Sequence, residues 1–161
     1  MDTLDNVGHA IVEALARDGR ASYQAIADEV GLSRPAVMER VKRLEESEVI
    51  TGYTARFDRA RIGRPITAFI SVRYPVSSHV GTEPWIQALE DHPDVLECHH
   101  VAGDDCYILK VAVSEVERLQ DVLRALRPAG EAASTRTTIV LNTVFEKAGL
   151  LPEVEAEVAS G

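Results

Sequence analysis

Cysteine is scarce in this sequence. Cys98 and Cys106 are its two cysteines, and they lack the paired spacing of a zinc site or a disulfide framework. A reduced, cytoplasmic protein with no metal and no cofactor is the expectation. No charged-then-apolar leader opens the chain and no long apolar run interrupts it, so neither export nor membrane insertion is expected. There is no Gly-rich phosphate loop, no Ser/His/Asp order and no paired-carboxylate arrangement. The histidines also lack ligand spacing. His99 and His100 are adjacent on a strand-like stretch and face opposite sides, while His9, His79 and His92 stand apart. These absences point away from an enzyme.

Positive charge is scarce as well: the 161 residues carry a formal net charge of −9. The deficit is uneven. Residues 1–62 hold nine Lys/Arg against eleven Asp/Glu, whereas residues 63–161 hold eight against fifteen. Within Ser33–Arg43 the balance reverses, to four basic residues against one acid. An acidic body with one basic patch confines any polyanion to one face and weakens nonspecific binding.

That patch lies in the stretch that organises the chain, Ala21–Arg43 (ASYQAIADEVGLSRPAVMERVKR). Ile26 and Val30 form the apolar stripe of a short helix. Gly31 suits the positive φ of a helix end, and Leu32 can fill the corner. Ser33 is a good N-cap, and Pro35 is tolerated in a first turn. Val37, Val41 and Leu44 then recur at i, i+4 and i+7, with Lys42 and Arg43 on the opposite face. Two short helices, a tight corner and a basic second helix are the parts of a helix-turn-helix, whose second helix enters the major groove of double-stranded DNA. Arg34, Pro35, Val37 and Met38 are the candidates for base edges, although the helical wheel turns Val37 toward the core. Arg40, Lys42 and Arg43 are candidates for phosphates. Ser22 and Tyr23, at the start of the preceding helix, and the N-cap Ser33 complete the candidate DNA-binding set.

Before this stretch, Leu4, Val7, Ile11 and Leu15 form a helical stripe stopped by Asp18-Gly19, with Gly8 inside it. After it, Val49-Ile50 and Tyr53–Phe57 read as short strands, a small wing or a link. Residues 1–57 are thus expected to form a three-helix, winged DNA-binding domain, and residues 58–65 a hinge with Gly63 and three arginines. Residues 66–150 change pattern. Ile66–Tyr74 is strand-like, and Thr82–Asp91 is helical with Trp85, Ile86 and Leu89 on one side. Val95–Val101 and Cys106–Val113 are strands around the Ala-Gly-Asp-Asp hairpin signal. Ser114–Glu117 reads as a capping box opening a helix to Arg127, and Thr135–Glu146 as a last strand. The order β-α-β-β-α-β is the split ferredoxin-like unit of an α+β protein. Both faces of its sheet look largely apolar, and two helices can cover one of them. A homodimer is therefore expected, which would also present recognition helices in pairs. Residues 151–161 form an acidic tail.

Over nearly its full length the chain resembles the Lrp/AsnC (feast/famine) transcription regulators. The residues that carry the resemblance are Leu4-Asp5, Ile11, Asp18-Gly19-Arg20, Gly31-Leu32-Ser33, Arg40-Val41, Leu44-Glu45, Val49-Ile50 and Gly52-Tyr53, with Gly103-Asp104 and Thr137-Ile139-Val140-Leu141. The resemblance implies an N-terminal DNA-binding domain. It also implies a C-terminal domain that dimerises, assembles further, for example to an octamer, and binds an amino acid between subunits. The chain departs from the family pattern at Gly8 (usually acidic), at Glu48 (usually glycine) and at Cys106, where Gly-Asp-x-Asp has its second acid. The effector would lie at Ala102, Gly103, Asp104, Asp105, Cys106 and Tyr107, with Thr135 and Thr137. Backbone N–H groups near Gly103 suit a carboxylate, Asp104 or Asp105 an ammonium, and the threonines add hydroxyls. Two other readings follow from the same resemblance: a sensing module with little DNA affinity, and an enzyme of the related tetrapyrrole-decarboxylase type using His99, His100 and Arg73.

Overall fold

The structure, a computed structural model, describes residues 4–73, 84–126 and 134–147. It divides into two compact units. One contains the chain up to Arg56 and the stretch from Phe145, and the other spans Phe57–Val144.

The first unit holds α1 (Asn6–Arg17), α2 (Tyr23–Val30) and α3 (Arg34–Glu46). Each helix starts at a side-chain cap. Asp5 accepts from the Gly8 N–H, Ser22 from Ala25 and Ser33 from Ala36, so a first-turn donor is satisfied in each. Gly31 adopts φ 70° at the corner. The Leu32 N–H then returns to the Ala27 carbonyl at 3.0 Å, the closure that a left-handed residue permits. Ile11, Ala14, Ile26, Ala27, Val37, Val41 and Leu44 form the core, with Leu4, Val7, Leu15, Val30 and Leu32 packed around it.

The expected wing is not formed: Val49–Phe57 contains no strand. The four-stranded sheet lies elsewhere, and three helices offer no ladder to an extended segment, so this stretch is a link. The departure at Glu48 has a visible consequence. Glu48 sits at φ 57° just after α3, in the left-handed region where a glycine would be unstrained.

The second unit holds β1 (Ile66–Arg73), α4 (Pro84–Glu90), β2 (Val95–His100), β3 (Tyr107–Val113), α5 (Glu117–Ala125) and β4 (Ser134–Ile139). The sheet order is β2-β3-β1-β4, and every pairing is antiparallel. This is the βαββαβ arrangement expected from the element order. Ala68, Ile70, Val72, Tyr107, Leu109, Val111 and Val113 face Leu89, Leu119, Val122 and Leu126 in one core. The segment before β1 is tied to this unit. Arg64 bonds the buried carboxylate of Asp94 and the carbonyl of Ala112, the latter at 3.1 Å.

Three expectations are corrected here. Ser114–Glu117 does not form a capping box, and α5 begins at Glu117 without a side-chain cap. The Arg118 and Leu119 N–H groups instead bond back three residues to Glu115 and Val116, so a tighter turn leads into the helix. The last strand ends at Ile139 rather than Glu146. Ile139 lies opposite Ala68, and the Val140 N–H bonds the Thr67 carbonyl at 2.9 Å. β1 begins one residue earlier, so the backbone beyond has no partner there. Leu141, Val144 and Phe145 are consequently 99%, 85% and 77% exposed. The second face of the sheet is mixed rather than largely apolar. Phe69 and Ile108 stand among Thr138, Arg136, His99 and the Glu97–Lys110 ion pair. Tyr74, Thr82, Arg127 and residues 151–161, which entered those expectations, lie outside the described residues.

Candidate nucleic-acid interface and effector site

Helix α3 sorts its residues by face. Val37, Val41 and Leu44 are buried against α1 and α2, while Arg34, Pro35, Met38, Lys42 and Arg43 are exposed. Val37 was a candidate for a base edge, and that assignment is corrected: at 0% exposure its side chain is spent on the core. Met38, one position on, is 45% exposed and stands one turn beyond Arg34.

The four cations of α3 are in different situations. Arg43 pairs with Glu39 at 3.1 Å and Lys42 with Glu46 at 3.5 Å, both along the helix surface. Exposed pairs of this kind are weak, and a phosphate can replace the carboxylate. Arg40 reaches across to α1, where Asp5 accepts two hydrogen bonds from its Nη1, at 2.8 and 3.0 Å. Arg34 forms no ion pair with another described residue. The remaining candidates have structural duties. Ser22 and Ser33 spend their hydroxyls as caps. Tyr23 is half-buried against the core.

The effector candidates gather at one end of the sheet. The Val101 N–H bonds the Cys106 carbonyl at 3.0 Å, closing the β2–β3 hairpin, and Gly103 takes φ 143° within it. The Cys106 N–H bonds the Val72 carbonyl at 2.8 Å. Tyr107, Val72 and Thr135 then form one row across β3, β1 and β4, and Leu109, Ile70 and Thr137 the next. Tyr107 is buried, and its ring lies 4.9 Å from that of His100. Asp104 projects into solvent with its side chain 97% exposed, whereas Asp105 is covered. Arg136 bonds Asp105 at 3.1 Å, and Arg73 lies 3.8 Å from Asp104 and 3.9 Å from Asp105. Sequence reasoning missed Arg136 here and placed Arg73 in another role. The strand register that puts Arg136 opposite Ser71 at this end was the missing signal.

The histidines do not converge. His99 hydrogen-bonds Glu97 at 3.2 Å, beside Lys110 on the open face, and His100 faces the other way. Burial raises the Glu97 carboxyl, but hydrogen bonds from His99 and Lys110 outweigh it and hold the group below its ordinary value. Burial raises the Cys98 thiol, which disfavours the thiolate. No cluster of three His, Cys, Asp or Glu suited to a metal occurs among the described residues.

The same division appears in comparisons with known proteins. Residues 4–45 match the AsnC-type helix-turn-helix domain, and residues 67–150 match the Lrp/AsnC ligand binding domain. The chain belongs to the Lrp/AsnC family. It is 35% identical over 151 residues to the HTH-type transcriptional regulator LrpA of Mycobacterium tuberculosis, covering 94% of this chain and 99% of that one. The Bkd operon transcriptional regulator of Pseudomonas aeruginosa is 36% identical, over 76% of this chain and 80% of its own. Among solved structures, a feast or famine regulatory protein from M. tuberculosis complexed with L-methionine superposes with a TM-score of 0.82 at 34% identity, covering 93% of this chain and all of that one. This Lrp/AsnC chain therefore joins a helix-turn-helix domain to a ligand-binding domain, and its relatives are named transcriptional regulators.

Proposed function

We propose that this protein binds specific double-stranded DNA through α3 and that a small effector, an amino acid held at the β2–β3 hairpin, controls the assembly presenting it. The observation that carries the DNA reading is Arg34: an arginine with no ion pair among the described residues, exposed in the first turn of a helix whose opposite face is the domain core. First-turn residues of a recognition helix are the ones that reach base edges. Arg34, Pro35 and Met38 therefore read bases, and Lys42 and Arg43 neutralise phosphates after leaving Glu46 and Glu39. Acting on the chromosome places the protein in the cytoplasm.

The effector reading rests on complementary charge. An amino acid presents a carboxylate and an ammonium, and the hairpin end of the sheet holds Arg73 and Arg136 beside Asp104 and Asp105. Ala102, Gly103, Cys106, Tyr107, Thr135 and Thr137 frame that place. The L-methionine complex of the M. tuberculosis relative supports the same chemical class. A second copy of the chain is the proposed cover for the apolar side chains beyond β4 and for Phe69 on the open face. A homodimer, assembling further, would present two copies of α3 to a two-fold site.

Two measurements test this reading. Arg43→Ala should weaken binding to every duplex and lower the slope of log affinity against log salt by about 0.9, one phosphate contact. An unchanged slope would remove α3 from the DNA. Thermal melting against the twenty amino acids should show a rise with one chemical group, lost in Asp104→Ala. No rise with any of them would remove the amino-acid effector.

A further inference from the structure

The pairing of Arg40 with Asp5 divides the basic residues of α3 into two kinds. Asp5 is the N-cap of α1, where its Oδ1 accepts from the Gly8 N–H at 2.7 Å. Both of its carboxylate oxygens also accept from Arg40, thirty-five residues on. One carboxylate therefore fixes the start of the first helix and the middle of the third. Among the described residues this pair joins α3 to the α1 cap, whereas the Lys42–Glu46 and Arg43–Glu39 pairs stay within the helix. The hydrogen bond from Gly8 and then that from Arg40 hold the Asp5 carboxyl below its ordinary value.

Gly8 belongs to the same arrangement. A Cβ at position 8 would stand 3.0 Å from Asp5 Oδ1 and 3.3 Å from Leu4 Cδ2. Glycine inside a helix costs about 1 kcal/mol relative to alanine, yet here it lets the carboxylate sit close over the first turn of α1.

We infer that Arg40 is not a phosphate ligand but a positioning residue, which together with Asp5 sets the placement of α3 so that Arg34 and Met38 meet the bases. This rests on the DNA-binding reading given above. A guanidinium held by two hydrogen bonds to a carboxylate is oriented by that carboxylate. It would have to abandon both to reach DNA, whereas Arg43 and Lys42 give up a single exposed partner along their own helix.

Asp5→Ser separates the pairing from the cap, because serine caps a helix as well as aspartate does but cannot pair with Arg40. The assay is binding of the full chain, well below its melting temperature, to a duplex selected by the wild type from a random pool, titrated over salt. The expected result is that Asp5→Ser and Arg40→Gln each lower affinity on the order of threefold, that the double variant is no weaker than either, and that all three keep the wild-type salt slope. Loss of stability alone would not move the affinity of folded protein or make the two changes non-additive. Arg40 would be shown to touch phosphate, and the inference overturned, if Arg40→Gln lowered the slope by about 0.9 or if Asp5→Ser raised affinity by freeing the arginine. Unchanged affinity in Asp5→Ser would overturn it too, and this variant decides the matter even if Arg40→Gln does not fold. Failure of the underlying reading looks different: the wild type itself would then show no salt-dependent binding, and the inference would fall with it.

Discussion

Arg118, on α5, donates to the Asp94 carboxylate at 2.9 Å, and that carboxylate is buried at the start of β2. Arg64, from the segment before β1, holds its other oxygen. One acid thus ties the segment before β1 and the second helix of this unit to the sheet. Asp94→Ala should destabilise the second unit by about 2–3 kcal/mol, somewhat less than the roughly 3–5 kcal/mol of breaking a fully buried pair, since both arginines keep some access to water. Urea denaturation followed by circular dichroism measures this, and a loss below about 0.5 kcal/mol would show the clamp to be dispensable.

Glu48 offers the opposite sign. Its φ of 57° places a side chain in the left-handed region, which costs about 1–2 kcal/mol for a residue with a Cβ. Glu48→Gly relieves this and returns part of it through the greater freedom of the unfolded chain. A net gain of roughly 0.5–1 kcal/mol is expected in the denaturation midpoint.

Neighbours on α3 should behave differently. Val37→Ala empties a fully buried position and should cost about 2 kcal/mol of stability. Met38→Ala should stay within about 0.5 kcal/mol of wild type while weakening preference at one base position, because its side chain is exposed beside Arg34. Melting curves and binding to single-base variants of a selected duplex separate the two.

Tyr53 should titrate late. Burial, then its hydrogen bond to Glu45 at 2.9 Å, pushes the phenol from 10.0 up to about 12. The raised value belongs to the folded state, so the stabilising contribution is complete below pH 10 and is lost as pH rises toward 12. Phenolate absorbance should show one late component in the wild type that is missing in Tyr53→Phe.

What the sequence made legible was local. Gly31-Leu32-Ser33 announced a left-handed corner and a cap, and both are present. The alternating residues of β3 and the β-α-β-β-α-β order announced the sheet and its two helices. What it hid depends on tertiary partners. Val41–Leu44 and Arg40 share a helix, but nothing near Arg40 in the chain points to Asp5. Apolar residues of Thr135–Glu146 suit a strand throughout, yet the strand stops where β1 runs out. Nothing near Arg136 in the chain points to Asp105; the strand register brings the two together. Val37 sat between two roles on the wheel, and packing against α1 and α2 decided for the core.

The central claim is that the first turn of α3 reads sequence. The measurement that tests it most directly compares the wild type and Arg34→Ala on a duplex selected by the wild type and on a scrambled duplex, at one salt concentration. Arg34→Ala should lower the ratio of the two affinities by about 1–3 kcal/mol, the worth of an arginine on a base edge, while binding to the scrambled duplex changes little. An unchanged ratio would contradict the account and move sequence reading away from α3.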